Sequence, residues 1–193
     1  MLKPPQKLPV YNPSDINPDL VDSALRSKTR LHRVDTFTLI DQNGDIVTHA
    51  YFDNKIYVTD FFFTTCQSIC PIMTNQMKRV YDAYEKRPEI LFLSHTVMPE
   101  VDSVAILKAY ALKFGAESER WKFVTGSKKK LYELARKSYF VVNTLGNGDE
   151  HDFIHTENLV LVDTKKKIRG YYDGTSEQDV DRLIKELQIL LDE

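Results

Sequence analysis

Along most of this chain, short apolar runs typical of strands alternate with stretches in which apolar residues recur at the spacing of a helix. Residues 55–63 form a compact run of apolar, β-branched and aromatic side chains, typical of a central buried strand. Helical spacing follows Pro71, which suits a first helical position because no amide donor is needed there. Strands are also predicted at 89–95 and 123–125, each followed by further helical spacing. A hairpin at 159–172 and a last helix are predicted to close the chain.

An early hairpin precedes this alternation. Asn43-Gly44 lies between apolar positions that include Leu39 and Val47, and it predicts a type I′ turn, which needs positive φ. Strands that alternate with helices imply a sheet covered on both faces and parallel in its middle. A terminal hairpin followed by a helix is what a thioredoxin-like fold has. We therefore predict an α/β, thioredoxin-like domain with an N-terminal β-hairpin, spanning residues 31–193.

Residues 1–30 differ from the rest in their spacing of prolines. Such frequent prolines forbid a stable helix and favour extended backbone. The five prolines are Pro4, Pro5, Pro9, Pro13 and Pro18. This segment is predicted to be an extended, proline-rich extension, either a tether or a strap along the surface.

Composition and charge exclude several classes of protein. The chain has 193 residues, 26 of them basic and 28 acidic, and its net charge of −2 argues against a nucleic-acid binder. No apolar stretch approaches the ~20 residues of a membrane span, and the N-terminus lacks the order of a signal peptide. The protein is therefore either cytosolic or made with a leader or anchor that this chain lacks. Two cysteines are too few for a disulfide-stapled scaffold and indicate chemistry instead.

Both cysteines, Cys66 and Cys70, lie between the central strand and the helix after it. The strand delivers Cys66 to the carboxyl edge of the sheet, where α/β proteins usually place their sites. Cys70 is expected at a helix N-terminus, where unpaired amides and the helix dipole favour thiolate over thiol. At this spacing both sulfurs can face one point. Such a pair can exchange disulfides, or it can bind Cu(I), because thiolate is a soft ligand.

A metal held by two thiolates needs a further ligand, and His155 is the best candidate. It lies just before the strand predicted to begin at Leu159. In a thioredoxin-like fold that junction runs beside the cysteine loop, and a thioredoxin has a proline there. A histidine in this place can supply a neutral imidazole nitrogen.

These residues resemble the Sco/SenC family of copper-binding proteins of cytochrome c oxidase assembly. The stretch 63–71, FTTCQSICP, fits the family's T-x-C-x-x-x-C-P pattern, and His155 fits its distal histidine. The resemblance covers residues 34–193. Weaker landmarks that also match are Asn43-Gly44, Tyr110, Phe114, Thr125-Gly126 and residues 159–163.

The resemblance implies a copper-binding metallochaperone in which Cys66, Cys70 and His155 bind Cu(I) or Cu(II). Family members receive or deliver copper, or reduce thiols, at the copper centre of the oxidase. The implied partners are the cytochrome c oxidase subunit that carries this centre and other copper-transfer or thiol-redox proteins; we expect a monomer and no nucleic acid. The implied location is extracytoplasmic, on the periplasmic side, with a membrane anchor that is absent from this chain.

Two departures from the family pattern concern the surroundings of the metal ligands. The family often has D-P-x-R-D after its third strand, where residues 98–102 read MPEVD. It often has Asp immediately before the histidine, where this chain has Ile154. Because such partners orient metal ligands, their loss is expected to loosen ligand orientation.

A third departure favours a second function, a thioredoxin-like thiol–disulfide oxidoreductase. Asp60 lies six residues before Cys66, where the family tends to have an aromatic residue and thioredoxins have a buried Asp. As an oxidoreductase, the protein would use Cys66 as the attacking thiolate, Cys70 as the resolving thiol and Asp60 as the acceptor of its proton. Burial is expected to raise the pKa of Asp60, which helps proton transfer near neutrality. The alternative is that Asp60 only accepts a structural hydrogen bond.

Overall fold

The computed structural model describes residues 7–16, 21, 32–142, 146, 148–149 and 151–193. Within this part of the chain, the strands are β1 (Thr38–Asp41), β2 (Ile46–Thr48), β3 (Ile56–Phe62), β4 (Ile90–Thr96), β5 (Trp121–Thr125), β6 (Asn158–Val162) and β7 (Ile168–Asp173). The helices are α1 (Ile69–Ala83), α2 (Val104–Lys113), α3 (Lys128–Glu133) and α4 (Glu177–Leu191). A π-helical turn, Leu134–Ser138, continues α3.

All these strands belong to one sheet with the order β2-β1-β5-β4-β3-β6-β7. The middle strands β3, β4 and β5 are parallel, and the outer strands pair antiparallel. Every residue of β3 and β4 is buried, as expected for parallel strands covered on both faces. The predicted α/β sheet with an N-terminal hairpin is therefore confirmed. Among the described helices, none is long and apolar enough to cross a membrane.

Side chains of β3 alternate between two separate cores. Val58 and Phe62 pack with Cys70 and with residues of α1, α2 and α4. Phe61 packs on the other face, with residues of α3 and the π-helical turn. Because strand side chains alternate with a period of two, Asp60 lies on the same face as Val58 and Phe62. This is the side of the sheet on which Cys70 is buried.

The hairpin of β1 and β2 is confirmed, but its predicted type I′ turn is wrong. Within the turn, Gly44 has positive φ, at 85°, and Asn43 does not. The Gly44 amide donates to the Asp41 carbonyl at 2.9 Å, and the Asp41 carboxylate accepts the amides of Asn43 and Asp45 at 2.8 and 3.0 Å. Because the Asp41 carboxylate binds two amides of the turn, the loop is longer than a two-residue type I′ turn. Of its residues, only Gly44 has a left-handed backbone.

The helices begin and end close to the residues that predicted their ends. Helix α1 begins at Ile69, so Pro71 is its third residue rather than the predicted first, still within the turn whose amides have no helical partner. Ser127 caps α3, and Gly115, with a φ of 64°, follows the end of α2. The early start of α1 places Cys70 inside the first helical turn.

Residues 7–16 lie against the last hairpin of the domain. The Tyr11 amide donates to the Ile168 carbonyl at the start of β7, and the Arg169 guanidinium donates to two carbonyls of this segment. This part of the predicted extension 1–30 is therefore a strap along the surface. The domain boundary itself stays a prediction, because much of the extension lies outside the described residues.

Candidate metal and dithiol site

Cys66 and Cys70 are free thiols that lie between the end of β3 and the first turn of α1. Cys66 is partly exposed, whereas Cys70 is buried, with 3% of its surface exposed. The Cys70 amide donates to Cys66 Sγ at 3.4 Å, and the Ser68 hydroxyl lies 3.7 Å from the same sulfur. The outer thiol can therefore be approached from solvent, while the inner one faces the core.

The two thiols differ strongly in acidity. Partial burial raises the pKa of Cys66, but hydrogen bonds with Cys70 and Ser68 outweigh it and lower the pKa to about 7. Burial raises the pKa of Cys70 to about 12, and its hydrogen bond to Cys66 adds to this rise. The thiolate predicted for Cys70 from its place at the helix N-terminus is therefore wrong, because burial outweighs the helix amides. A sulfur that accepts several hydrogen bonds is stabilised as thiolate. Near neutral pH, Cys66 is therefore the nucleophilic sulfur and the one more readily available to a metal.

Asp60 is a buried carboxyl group on the dithiol side of the sheet, and 1% of its surface is exposed. Its Oδ1 atom has no hydrogen-bond partner among the residues that the structure describes. Burial raises the pKa of Asp60 to about 7, although a hydrogen bond with Ser94 opposes the rise. Ser94 also accepts a hydrogen bond from Trp121 Nε1 at 2.9 Å. A charged Asp60 raises the pKa of Cys70, so the carboxylate is close enough to influence the inner thiol.

Asp102 ties the cysteine loop to the end of β4. Its buried carboxylate accepts the Thr64 amide at 3.3 Å and the hydroxyls of Thr64 and Thr96. Thr96 Oγ1 in turn accepts the Met98 amide at 3.0 Å. The sequence analysis did not predict these contacts of Asp102. The only sequence feature that could have indicated them is the aspartate at the end of the stretch 98–102. The loop that carries the first cysteine is thereby held to a central strand.

His155 lies on a segment that runs beside the cysteine loop. Side chains of residues 153–156 alternate between exposed and buried, and Phe153 and His155 are both exposed. The Phe153 ring contacts the Phe63 ring at the end of the central strand, with the centroids 5.5 Å apart. Among the described residues, however, no three His, Cys, Asp or Glu side chains are grouped closely enough to hold a metal ion. The fold thus brings the histidine segment to the loop, but it does not group the imidazole with both sulfurs.

Together, fold and site define a thioredoxin-like protein with a reduced dithiol at the end of its central strand and a histidine on a neighbouring segment. The profile of the SCO1/SenC family matches residues 26–192. This chain belongs to the SCO1/SenC family, as the resemblance of its cysteine motif predicted.

Individual relatives agree with this assignment. The chain is 28% identical over 159 residues to the SCO1 protein homolog of Bacillus subtilis (strain 168), which covers 81% of this chain and 82% of that protein. The crystal structure of a SCO1/SenC family lipoprotein from Bacillus anthracis str. Ames has a TM-score of 0.72 and 27% identity, covering 85% of this chain and 98% of that one.

Two further structures are similar. BsSco, described as having a disulfide switch and as a member of the Sco family of cytochrome c oxidase assembly proteins, has a TM-score of 0.70 and 27% identity over 82% of this chain and 93% of that one. Bradyrhizobium japonicum ScoI, solved with copper bound, has a TM-score of 0.66 over 82% of this chain and 99% of that one. Its identity is 22%, so it bears on the fold alone. These structures confirm the predicted thioredoxin-like fold.

Proposed function

We propose that this protein is a copper-binding metallochaperone that delivers copper, or reduces thiols, during assembly of the cytochrome c oxidase copper centre. Membership of the SCO1/SenC family supports this role. The proposed ligands are Cys66, Cys70 and His155. The observation that carries the proposal is the pair of free thiols after the carboxyl end of the central strand β3, one of them with a pKa of about 7.

The donor set fits copper. Thiolate is the kind of ligand that Cu(I) prefers, and imidazole suits copper as well. Because Cys70 has a raised pKa, copper must displace its proton on binding, and uptake should depend on pH. The imidazole of His155 is exposed, so its side chain can reorient without breaking core packing. We propose that this histidine joins the two sulfurs when the metal binds.

Partners and location follow from the same proposal. The proposed partners are the cytochrome c oxidase subunit that carries the copper centre and other copper-transfer or thiol-redox proteins, with this chain acting as a monomer. The proposed location is extracytoplasmic, on the periplasmic side, with a membrane anchor. The Bacillus anthracis relative, described as a lipoprotein, supports the anchored location.

Copper titration of the reduced protein tests the ligand set. The wild type is expected to bind one copper ion per chain, with mixed sulfur and nitrogen ligation by X-ray absorption. Loss of an outer-shell partner costs about 10–100-fold in metal affinity, so His155→Ala, which removes a ligand, should cost at least that much. His151→Ala, an exposed histidine on the same segment, is the matched control and should bind like the wild type. No copper uptake by the reduced wild type would rule out the proposal, and unchanged affinity in His155→Ala would remove the histidine from the site.

A second candidate function, thiol–disulfide exchange, is favoured by the buried carboxyl of Asp60. The Cys66 thiolate would attack a partner disulfide, forming a mixed disulfide and releasing one partner thiolate. Asp60 would then accept the proton of Cys70, whose sulfur would attack Cys66 and release the second partner thiolate. The protein would end oxidised and the partner reduced, and both functions can use the same thiolates.

Replacement of Asp60 tests this exchange function. General base catalysis contributes roughly 10²–10⁴-fold, so Asp60→Asn is expected to slow the reduction of a model disulfide by at least about tenfold. His155→Ala should barely change the rate, because no metal takes part. The rate is read from the release of partner thiol. A wild-type rate no faster than that of free dithiols would eliminate the oxidoreductase.

A further inference from the structure

The histidine segment is attached to the rest of the protein through Asp152. Two guanidinium nitrogens of Arg136, in the π-helical turn, donate to the two carboxylate oxygens of Asp152, each at 2.7 Å. The two side chains are 11% and 6% exposed, so water hardly screens the pair. Bidentate pairs of this kind are among the strongest hydrogen-bonded contacts and also define orientation.

Two glycines that precede Asp152, Gly146 and Gly148, lie close to the same carboxylate. The Gly148 amide donates to Asp152 Oδ2 at 2.7 Å, and Gly148 has a φ of 78°, which suits glycine. A Cβ atom at Gly146 would overlap the Asp152 carboxylate. The missing side chain at Gly146 therefore leaves room for the Asp152 carboxylate, and the left-handed backbone at Gly148 places its amide on that carboxylate.

The chain after Asp152 is held by burial. Ile154, which stands where the family often has Asp, is fully buried in the core on the α3 side of the sheet. Tyr132, whose hydroxyl donates to the Val97 carbonyl at 2.9 Å, belongs to the same core. Burial of Ile154 thus fixes the backbone next to His155.

Anchored at Asp152 and Ile154, the segment presents His155 beside the cysteine loop while its ring stays in solvent. A ligand whose backbone is already ordered loses less conformational entropy on binding than one on a loose chain. We propose that the Arg136–Asp152 ion pair is a positioning device for His155, which holds this segment in place so that copper has to order only the imidazole. This inference rests on the proposed function.

Copper affinity of Arg136 variants tests the positioning role. Arg136→Gln is expected to lower copper affinity about 10–100-fold, as loss of outer-shell partners does, and to reduce the nitrogen hyperfine coupling in electron paramagnetic resonance of the Cu(II) form. Arg136→Lys retains the charge but not the bidentate fork, so its affinity should be intermediate. Arg79→Gln is the matched control, because Arg79 pairs with Asp181 on an exposed surface, and it should bind copper like the wild type. Should Arg136→Gln fail to fold, Asp152→Asn makes the same test from the other side.

A second background separates positioning from general damage. In His155→Ala, the Arg136→Gln change should lower copper affinity no further, because no imidazole remains to be positioned. An equal loss in both backgrounds would overturn the positioning role. Wild-type or tighter binding by Arg136→Gln alone would also overturn it, and would leave the proposed function standing. If His155→Ala itself binds like the wild type, the ligand set and this inference both fail.

Discussion

Iodoacetamide at about pH 7 should alkylate Cys66 roughly 10²–10³ times faster than Cys70 in the folded, reduced protein. With pKa values of about 7 and about 12, half of Cys66 is thiolate at this pH, against a fraction of Cys70 on the order of 10⁻⁵. The more basic Cys70 thiolate is intrinsically more nucleophilic, which offsets about two of those decades. Peptide mapping by mass spectrometry of the wild type measures both rates without removing either thiol.

The pH dependence of this reaction provides a separate check. The Cys66 rate should rise with pH and level off, with a midpoint near its folded pKa of about 7. In urea-unfolded protein, both thiols should react alike, with a midpoint near the ordinary cysteine value of about 8.5. Equal rates in the folded protein would contradict the hydrogen bonding and burial that set the two thiols apart. The same measurement on Asp60→Asn should leave the Cys66 profile in place.

Arg169→Met is expected to lower the free energy of unfolding by about 3–5 kcal/mol, because it breaks a buried ion pair from one side. The Arg169 guanidinium pairs with Asp163 at 3.1 Å and with Glu193 at 2.6 Å, and its side chain is 7% exposed. It also donates to the carbonyls of Leu8 and Pro9. Methionine keeps much of the stem but leaves both carboxylates without their cation. For a domain of this size the midpoint of thermal unfolding should fall by roughly 6–20 °C.

Arg79→Met is the matched control for this prediction. Arg79 and Asp181 are 44% and 53% exposed, so their ion pair is screened by water. Removing it should change the free energy of unfolding by less than about 1 kcal/mol. A similar small effect for Arg169→Met would mean that residues 7–16 and the C-terminus do not depend on this guanidinium. Limited proteolysis of the Arg169→Met variant should also cut within residues 7–16 sooner than in the wild type.

Short-range sequence patterns were sufficient to predict the fold and the position of the cysteine pair within it. The alternation of strand-like and helix-like patterns predicted the central strands, since burial on both faces favours mostly apolar runs such as 55–63. The cysteine motif predicted both the family and the position of Cys66 and Cys70. The prediction of a type I′ turn was wrong because the Asp41 side chain binds two amides of the turn, and the backbone preference of Asn-Gly does not decide its conformation.

Several contacts around the site join residues far apart in the chain, and no local pattern predicts them. Asp102 reaches Thr64 across 38 positions, and Asp152 meets Arg136 across 16. The sequence suggested that losing the Asp before His155 would loosen the histidine. In the folded chain, Ile154 is buried and Asp152 pairs with Arg136. Whether the ligand is loosened stays a prediction, which the Arg136 variants proposed above address.

The sequence by itself determined the order of strands and helices, the family and the chemical nature of the sulfur pair, because these depend on residue type and short spacing. Only the tertiary structure decided that Cys66 is the acidic thiol and Cys70 the basic one. It also decided that Asp60 lies buried on their side of the sheet and that His155 is exposed next to the buried Ile154. The physical reason is that burial, hydrogen bonding and ion pairing depend on which distant groups come together, and these set pKa and orientation.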